Sequence, residues 1–192
     1  MDIVLFKKKS IAELIEREGG PQYSNRAADM GGPTRWGVTE VTARDNGYTG
    51  DMRTYPYEEA YKVYEKFWAS MYCGVICQED AQLAVFMFDF AVNSGISRAS
   101  KYFQNLLNIL NYRQKHYMDI NPDGKIGNNT MRAFSAFKAK RGQSGVELFR
   151  TTYNAERIAF FTSLAHKRED QEENIYGWLS RVISIADACG CK

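Results

Sequence analysis

The stretch AQLAVFMFDFAVNSG, residues 81–95, decides the fold of this chain. Apolar side chains occur on every side of the helix that it predicts. Asp80 in front of it is a good N-cap residue, and Gly95 ends the helical pattern. A helix that is hydrophobic all round belongs inside a bundle of other helices. We therefore predict a long, buried central helix.

The segments on both sides of this helix are also mostly helical. An apolar stripe at helical spacing follows Pro56, which suits a first helical turn. Further helices are predicted after the central one, starting at Ser97 or Ser100 and then at roughly 128–140, 146–167 and 172–188. Residues 19–54 are rich in turn-forming residues, which predicts turns and a small irregular hairpin rather than a helix. The predicted class is mainly α, in an α+β arrangement with a small β-hairpin lobe.

Composition excludes several classes of protein. Of the 192 residues, 44% are hydrophobic and 25% charged, which is typical of a globular domain. A net charge of +2 is too small to indicate nucleic-acid binding. The first 20 residues show no apolar core of a Sec signal, and no stretch reaches the roughly 18 apolar residues of a membrane span. We expect no nucleic-acid partner and no membrane insertion.

The four cysteines form two close pairs, Cys73 with Cys77 and Cys189 with Cys191. Neither spacing is usual for zinc, although four thiolates would form a site if the pairs met. Free thiols are the commoner outcome in a chain without a secretion signal, and a disulfide remains an alternative. We expect neither a metal site nor another cofactor.

Glu18 is the strongest candidate for a chemical role. Ser10 and Glu13 form a capping box, so we predict that a helix starts at Ser10. Glu18 lies on the same helical face as three apolar residues, Ile11, Leu14 and Ile15. The Gly19-Gly20 pair ends the helix there. A carboxyl group on an apolar face is costly to ionise, which makes Glu18 a candidate general acid.

A second acid and two threonines follow on a turn-rich stretch. Hydrolysis of a glycosidic bond needs a protonated carboxyl and a second group that holds a water or stabilises the transition state. Asp29, on a turn with Gly31 and Gly32 close behind it, is expected to stay ionised and suits the second role, and Thr34 is a candidate for orienting the water. Asp29 is alternatively a turn former or cap, and Thr34 a strand residue.

Further candidates are expected to contact substrate. Thr39 is one of them, or else the cap of the next segment. Trp36 is another, with packing of the hairpin as its alternative. Asn93 near the end of the central helix is a candidate for a sugar contact. Asp89 lies one turn earlier on the same helix. We favour a role for it in a buried network that ties the hairpin lobe to the central helix, and the alternative is a place in the substrate cleft.

These motifs resemble a known family. The pattern EGG at 18–20, followed by DMGGPTRWGVT at 29–39 and DFAVNSG at 89–95, resembles the glycoside hydrolase family 108 muramidases of phages, prophages and bacteria. NPDGKIGNNTMRAFSAF, residues 121–137, resembles the DGxxGxxT element of their C-terminal predicted peptidoglycan-binding region. The resemblance covers about residues 8–185.

The resemblance implies a lysozyme-like fold with a hairpin lobe, a long central helix, a helical second lobe and a cleft between them. It divides the chain into a catalytic region, 1–95, and a helical, peptidoglycan-binding region, 96–192, packed as one compact unit. It implies a lysozyme (EC 3.2.1.17) that cleaves the β-1,4 bond between N-acetylmuramic acid and N-acetylglucosamine. Glu18, Asp29 and Thr34 match the order of Glu, Asp and Thr in related phage lysozymes, with a longer gap before Asp29.

Two other functions remain open, a lytic transglycosylase and a non-enzymatic peptidoglycan-binding protein. The expected partner is bacterial peptidoglycan, bound by a monomer. Without a Sec signal, we expect an endolysin that is made in the bacterial cytoplasm and reaches the cell wall after holin-type or other release.

Overall fold

The protein is described by a computed structural model that covers residues 1–25 and 32–188. It is mainly α-helical with one small three-stranded antiparallel sheet, which confirms the predicted fold class. The chain divides into two compact units, Met1–Ala69 and Ser70–Lys192.

In its described residues, the first unit holds the sheet and three α-helices. Its elements in chain order are α1 (Ile3–Arg17), β1 (Tyr23–Ser24), β2 (Thr34–Arg35), β3 (Val38–Thr39), α2 (Glu40–Asp45), a 3₁₀ turn (Met52–Thr54) and α3 (Tyr57–Ser70). The strands lie in the order β1-β2-β3, each antiparallel to its neighbour.

Helix α1 begins well before the predicted cap at Ser10. The carboxylate of Asp2 accepts hydrogen bonds from two backbone N–H groups of the first turn, at 2.9 and 3.1 Å. Phe6 in the added turns packs edge-on against Trp68 with ring centroids 6.0 Å apart. Ser10 is buried inside the helix. The prediction was wrong because a capping box describes only local hydrogen bonds, whereas Asp2 and this aromatic contact extend the helix.

Helix α2 also differs from the prediction, which gave no helix in residues 19–54. Thr39 caps it, since its hydroxyl accepts from the backbone N–H of Thr42 at 3.3 Å. The acidic side chain of Glu40 in the first turn interacts favourably with the positive end of the helix dipole. Six residues are too few to show a periodic pattern, so the cap was the available signal.

In the described residues of the second unit, all regular secondary structure is helical. It contains α4 (Cys73–Glu79), α5 (Ala81–Ser94), α6 (Ile96–Leu110), α7 (Asn128–Lys167), a 3₁₀ turn (Glu169–Gln171) and α8 (Glu172–Ala188). Helix α7 is interrupted at Gly142, where φ is 66°, so the predicted break is confirmed.

Helix α5 is the predicted buried helix. Asp80 caps it, accepting from the backbone N–H of Leu83 at 2.8 Å, and every residue from Gln82 to Ala91 is buried. Within the second unit it packs on α4, α6 and α7. These contacts explain why the stretch tolerates apolar side chains on all sides.

Asp89 on α5 forms a buried ionic network. It accepts hydrogen bonds from the fully buried Arg157 of α7 and, at 2.7–2.8 Å, from Arg181 of α8. The favoured role in a buried network is therefore confirmed, and these bonds join α5 to the C-terminal helices. The predicted tie to the hairpin lobe stays a prediction. The sequence contained no indication of which arginine would reach an acid on the central helix.

Two of the four cysteines lie in the described residues. Cys73 and Cys77 are buried free thiols, and burial raises the pKa of both. Cys189 and Cys191 lie outside the described residues. Within residues 1–25 and 32–188, no group of three or more His, Cys, Asp or Glu side chains suits a metal ion. In the same part of the chain, no helix combines the length and apolar character needed to cross a bilayer.

Candidate active site

Glu18 lies at the C-terminal end of α1, as predicted. Its backbone N–H donates to the carbonyl of Leu14 at 2.9 Å, and its side chain is half-buried. Gly19 and Gly20 both have positive φ, and the N–H of Gly20 donates to the carbonyl of Ile15 at 3.0 Å. This is a Schellman ending, which requires the left-handed backbone that glycine adopts readily.

The β2–β3 hairpin supplies the second part of the site. Trp36 and Gly37 form its two-residue turn with φ of 54° and 71°, as a type I′ turn requires. Positive φ is rare for a bulky residue such as tryptophan. Such strained residues persist where the surrounding structure fixes them, often at functional sites.

Gly37 is in close contact with the side chain of Glu18. A Cβ atom on Gly37 would lie 2.3 Å from the Cβ of Glu18 and 2.5 Å from the hydroxyl oxygen of Tyr64. Any larger residue would displace one of these groups. The turn therefore brings backbone, rather than a side chain, against the candidate acid.

Tyr64 of α3 holds the turn in this position. Its hydroxyl donates to the carbonyl of Trp36 at 2.9 Å, and the residue is almost fully buried. Sequence reasoning treated Tyr64 only as part of the apolar stripe of its helix. No sequence signal distinguishes its hydroxyl from that of Tyr61 on the same helix, because the difference lies in what each hydroxyl meets.

Trp36 is fixed by three contacts. Its indole N–H donates to the carbonyl of Tyr55 at 3.0 Å, its ring packs edge-on against Tyr57 at 5.3 Å, and the guanidinium of Arg35 lies 5.7 Å from the ring centre. These contacts support the packing alternative. The predicted contact between Trp36 and substrate stays a prediction.

Thr34 and Thr39 face each other across the hairpin, and Thr34 also pairs with Ser24 of β1. Directly opposed residues of antiparallel strands share a face, so three hydroxyl side chains line one side of the sheet. The Thr34 hydroxyl donates to the carbonyl of Gly32 at 3.2 Å, and the Thr39 hydroxyl caps α2. Their proposed roles in water orientation and substrate binding remain predictions.

The remaining two candidates differ in what is known of them. Asp29 lies outside the described residues, so its predicted role is not tested. Asn93 is exposed on α5 in the second unit, and its amide donates to the backbone carbonyl of Asp89 at 2.8 Å. Its predicted sugar contact also remains a prediction.

Comparison with family models agrees with these motifs. Residues 11–95 match the family Glycosyl hydrolase 108, and residues 98–183 match the Predicted Peptidoglycan domain. The resemblance identified from the sequence is thereby confirmed. The first match supports a glycoside hydrolase, and the second supports peptidoglycan as its partner.

A solved structure shows that the fold occurs elsewhere. The structure of Brucella abortus SagA is similar with a TM-score of 0.68 and 21% sequence identity. The similarity covers 95% of this chain and 92% of that chain. Comparison with curated proteins finds no significant match.

Proposed function

We propose that the protein is a muramidase that hydrolyses the β-1,4 bond between N-acetylmuramic acid and N-acetylglucosamine in peptidoglycan. Glu18 is the proposed general acid. The observation that carries this proposal is the half-buried side chain of Glu18 at a helix end, whose Cβ and Cγ atoms pack against a glycine turn. The match of residues 11–95 to Glycosyl hydrolase 108 supports the class of reaction.

The proposed position of Glu18 suits proton donation. Glu18 stands half-buried at the C-terminal end of α1, and its backbone N–H is bonded to Leu14, so the helix fixes the place of this carboxyl group. A neutral carboxyl beside the glycosidic oxygen is able to give its proton to the leaving group. Because Gly37 has no side chain, its backbone packs directly against the Cβ and Cγ atoms of Glu18.

Asp29 is the proposed second carboxyl, with Thr34 orienting the attacking water. If the two carboxyl groups stand wide enough for a water, roughly 6.5–9.5 Å, the reaction inverts the anomeric configuration. Proton NMR of the first product, recorded before mutarotation, tests this point. A retained configuration would contradict the proposed arrangement.

The main test is mass spectrometry of peptidoglycan digested by the wild type and by Glu18→Gln. We expect reducing-end muropeptides from the wild type and a rate lowered by about 10²–10⁴ in the variant, the usual contribution of general acid catalysis. Glu13→Gln is the matched control, because Glu13 is an exposed acid on the same helix with a 3.8 Å ion pair to Lys9. It should retain wild-type activity.

Three outcomes would contradict the proposal. Anhydromuramic products from the wild type would indicate a lytic transglycosylase. Release of no fragment by either protein, with binding retained, would indicate a non-enzymatic peptidoglycan-binding protein. Equal activity of Glu18→Gln and wild type would remove Glu18 from the reaction.

A further inference from the structure

In the second unit, a loop without regular secondary structure connects α6 to α7. This segment, residues 111–127, is held by three amide side chains, those of Gln104 and Asn108 on α6 and that of Asn111, the C-cap of the helix. Their spacing of four and three residues places them on one face of the helix and its cap. We call the segment the amide-pinned loop.

The hydrogen bonds of these amides fix the loop at several points. Asn108 donates to and accepts from the backbone of Ile120, at 2.8 and 2.9 Å. Gln104, almost fully buried, accepts from the N–H of Gly124 at 2.9 Å and donates to the carboxylate of Asp123 at 2.9 Å. The part of the loop from Ile120 to Gly124 is thereby attached to α6 at both of its ends.

The same loop contains backbone strain. Three consecutive residues, Tyr112, Arg113 and Gln114, have φ of 58°, 56° and 61°. This left-handed conformation is unfavourable for L-residues with side chains. Asn111 holds it, since its amide oxygen accepts from the N–H of Gln114 at 2.9 Å while its amide nitrogen donates to Asp119 at 2.6 Å. Strain fixed in this way is a feature of ligand-binding loops.

The amide-pinned loop and the first turns of α7 enclose an open groove of about 810 Å³, a volume within the range of small-ligand sites. Its walls carry two acids, Asp119 and Asp123, and two bases, Lys125 and Arg132. Hydrogen bonds from Gln104 and from the backbone of Lys125 lower the pKa of Asp123, so this carboxyl stays ionised in neutral solution. The groove therefore presents both signs of charge together.

Amide side chains complete the lining of this loop groove, at Asn121, Asn128 and Asn129. Each carries a donor and an acceptor, like the peptide group that it would face. Tyr117 is the aromatic residue of the lining, and its hydroxyl is already bound to the carbonyl of Leu107 at 2.8 Å. Burial raises the pKa of Tyr117 to about 12.

We propose that the loop groove binds the stem peptide of peptidoglycan rather than its sugar chain. A stem peptide carries free carboxylates, a free amine and several amide groups, which match the bases, acids and asparagines of the lining. A glycan is better held by exposed aromatic faces, and a polyanion by a groove of positive charge alone. The proposal rests on peptidoglycan being the partner, but not on Glu18 being the catalytic acid.

The test is isothermal titration of full-length Glu18→Gln protein, which removes the proposed acid and so keeps binding separate from hydrolysis. The probes are a synthetic tetrapeptide with γ-linked D-glutamate and meso-diaminopimelate, and a peptide-free N-acetylglucosamine–N-acetylmuramic acid oligomer. The double substitution Lys125→Met and Arg132→Met should weaken binding of the tetrapeptide about tenfold. Lys101→Met with Lys140→Met removes two exposed charges outside the groove and should change the Kd less than twofold.

Binding of the tetrapeptide that is lost in the groove variant and kept in the control supports the proposal. Binding of the oligomer alone, or tetrapeptide binding that both double variants weaken equally, overturns it. No binding of the tetrapeptide at millimolar concentration also overturns it. These titrations measure binding and not cleavage. A failure of the muramidase proposal would instead appear in the digestion assay of the wild type, so the two failures are distinguishable.

Discussion

At the scale of single residues, the candidate site depends on Gly37 and what surrounds it. The φ of 71° and the 2.3 Å distance that its Cβ would have to Glu18 both require glycine. The neighbouring Trp36 shares the left-handed backbone without that freedom. Hydrogen bonds from Tyr64 to its carbonyl and from its indole to Tyr55 therefore compensate the strain.

Replacement of Tyr64 by phenylalanine tests this compensation. The variant loses the 2.9 Å hydrogen bond to Trp36, so we expect the free energy of unfolding to fall by about 1 kcal/mol. Because the released turn lies against Glu18, kcat should fall while KM changes little. Urea denaturation and steady-state kinetics measure the two effects.

Tyr61→Phe is the matched control on the same helix. The Tyr61 hydroxyl is buried and has no hydrogen-bond partner within the described residues, so its removal should leave stability equal or slightly higher. Equal losses of stability in both variants would show that the Tyr64 hydroxyl does not hold the turn.

At the scale of elements, Asp89 joins α5 to the two C-terminal helices. Burial lowers the pKa of Arg157, and the charge of Asp89 opposes that effect. Asp89→Asn leaves the buried guanidinium of Arg157 without a counter-charge, so we expect the free energy of unfolding to fall by about 3–5 kcal/mol. Thermal and urea denaturation of the variant measure this loss.

The same substitution at an exposed ion pair is the control. Arg168 and Asp170 form a pair whose side chains are both more than half exposed, at 58% and 60%. Asp170→Asn should therefore change stability by less than about 1 kcal/mol. A similar effect of the two substitutions would rule out a structural role for the buried network.

At the scale of the whole molecule, each unit contains a tyrosine that resists ionisation. Burial is the main cause that raises the pKa of Tyr55 in the first unit and of Tyr117 in the second to about 12, from the ordinary value of 10.0. Below pH 10 both the folded and the unfolded chain keep these protons. Between about pH 10 and 12 the unfolded chain loses them first, so stability must fall as pH rises.

Urea denaturation at pH 8, 10 and 11 measures this fall. Tyr55→Phe and Tyr117→Phe should each make the loss of stability above pH 10 less steep, because the titrating group is gone. Tyr176→Phe is the control, since this side chain is 83% exposed. If all three variants lose stability as steeply as the wild type, other groups cause the alkaline unfolding.

Patterns within one segment were sufficient for much of the fold. The apolar run at 81–95, the break at Gly142 and the glycine pair after Glu18 each depend on the residues of one helix or turn. The start of α1 and the short α2 were mispredicted. The aromatic contact between Phe6 and Trp68 extends α1 beyond the start that the local pattern predicts. Helix α2 has only six residues, too few for a periodic pattern to indicate it.

By itself, the sequence determined the helical class, the resemblance to glycosyl hydrolase 108 and the position of Glu18 at the end of a helix. Capping, glycine and hydrophobic period act over a few neighbouring residues, so local sequence was sufficient for these features. Only the tertiary structure decided which groups meet across the chain. It brought Gly37 and Tyr64 to Glu18, gave Asp89 its two arginines and built the loop groove from residues of α6, the amide-pinned loop and α7. Such contacts depend on how whole elements pack, and the packing energy is shared by many residues distant in sequence.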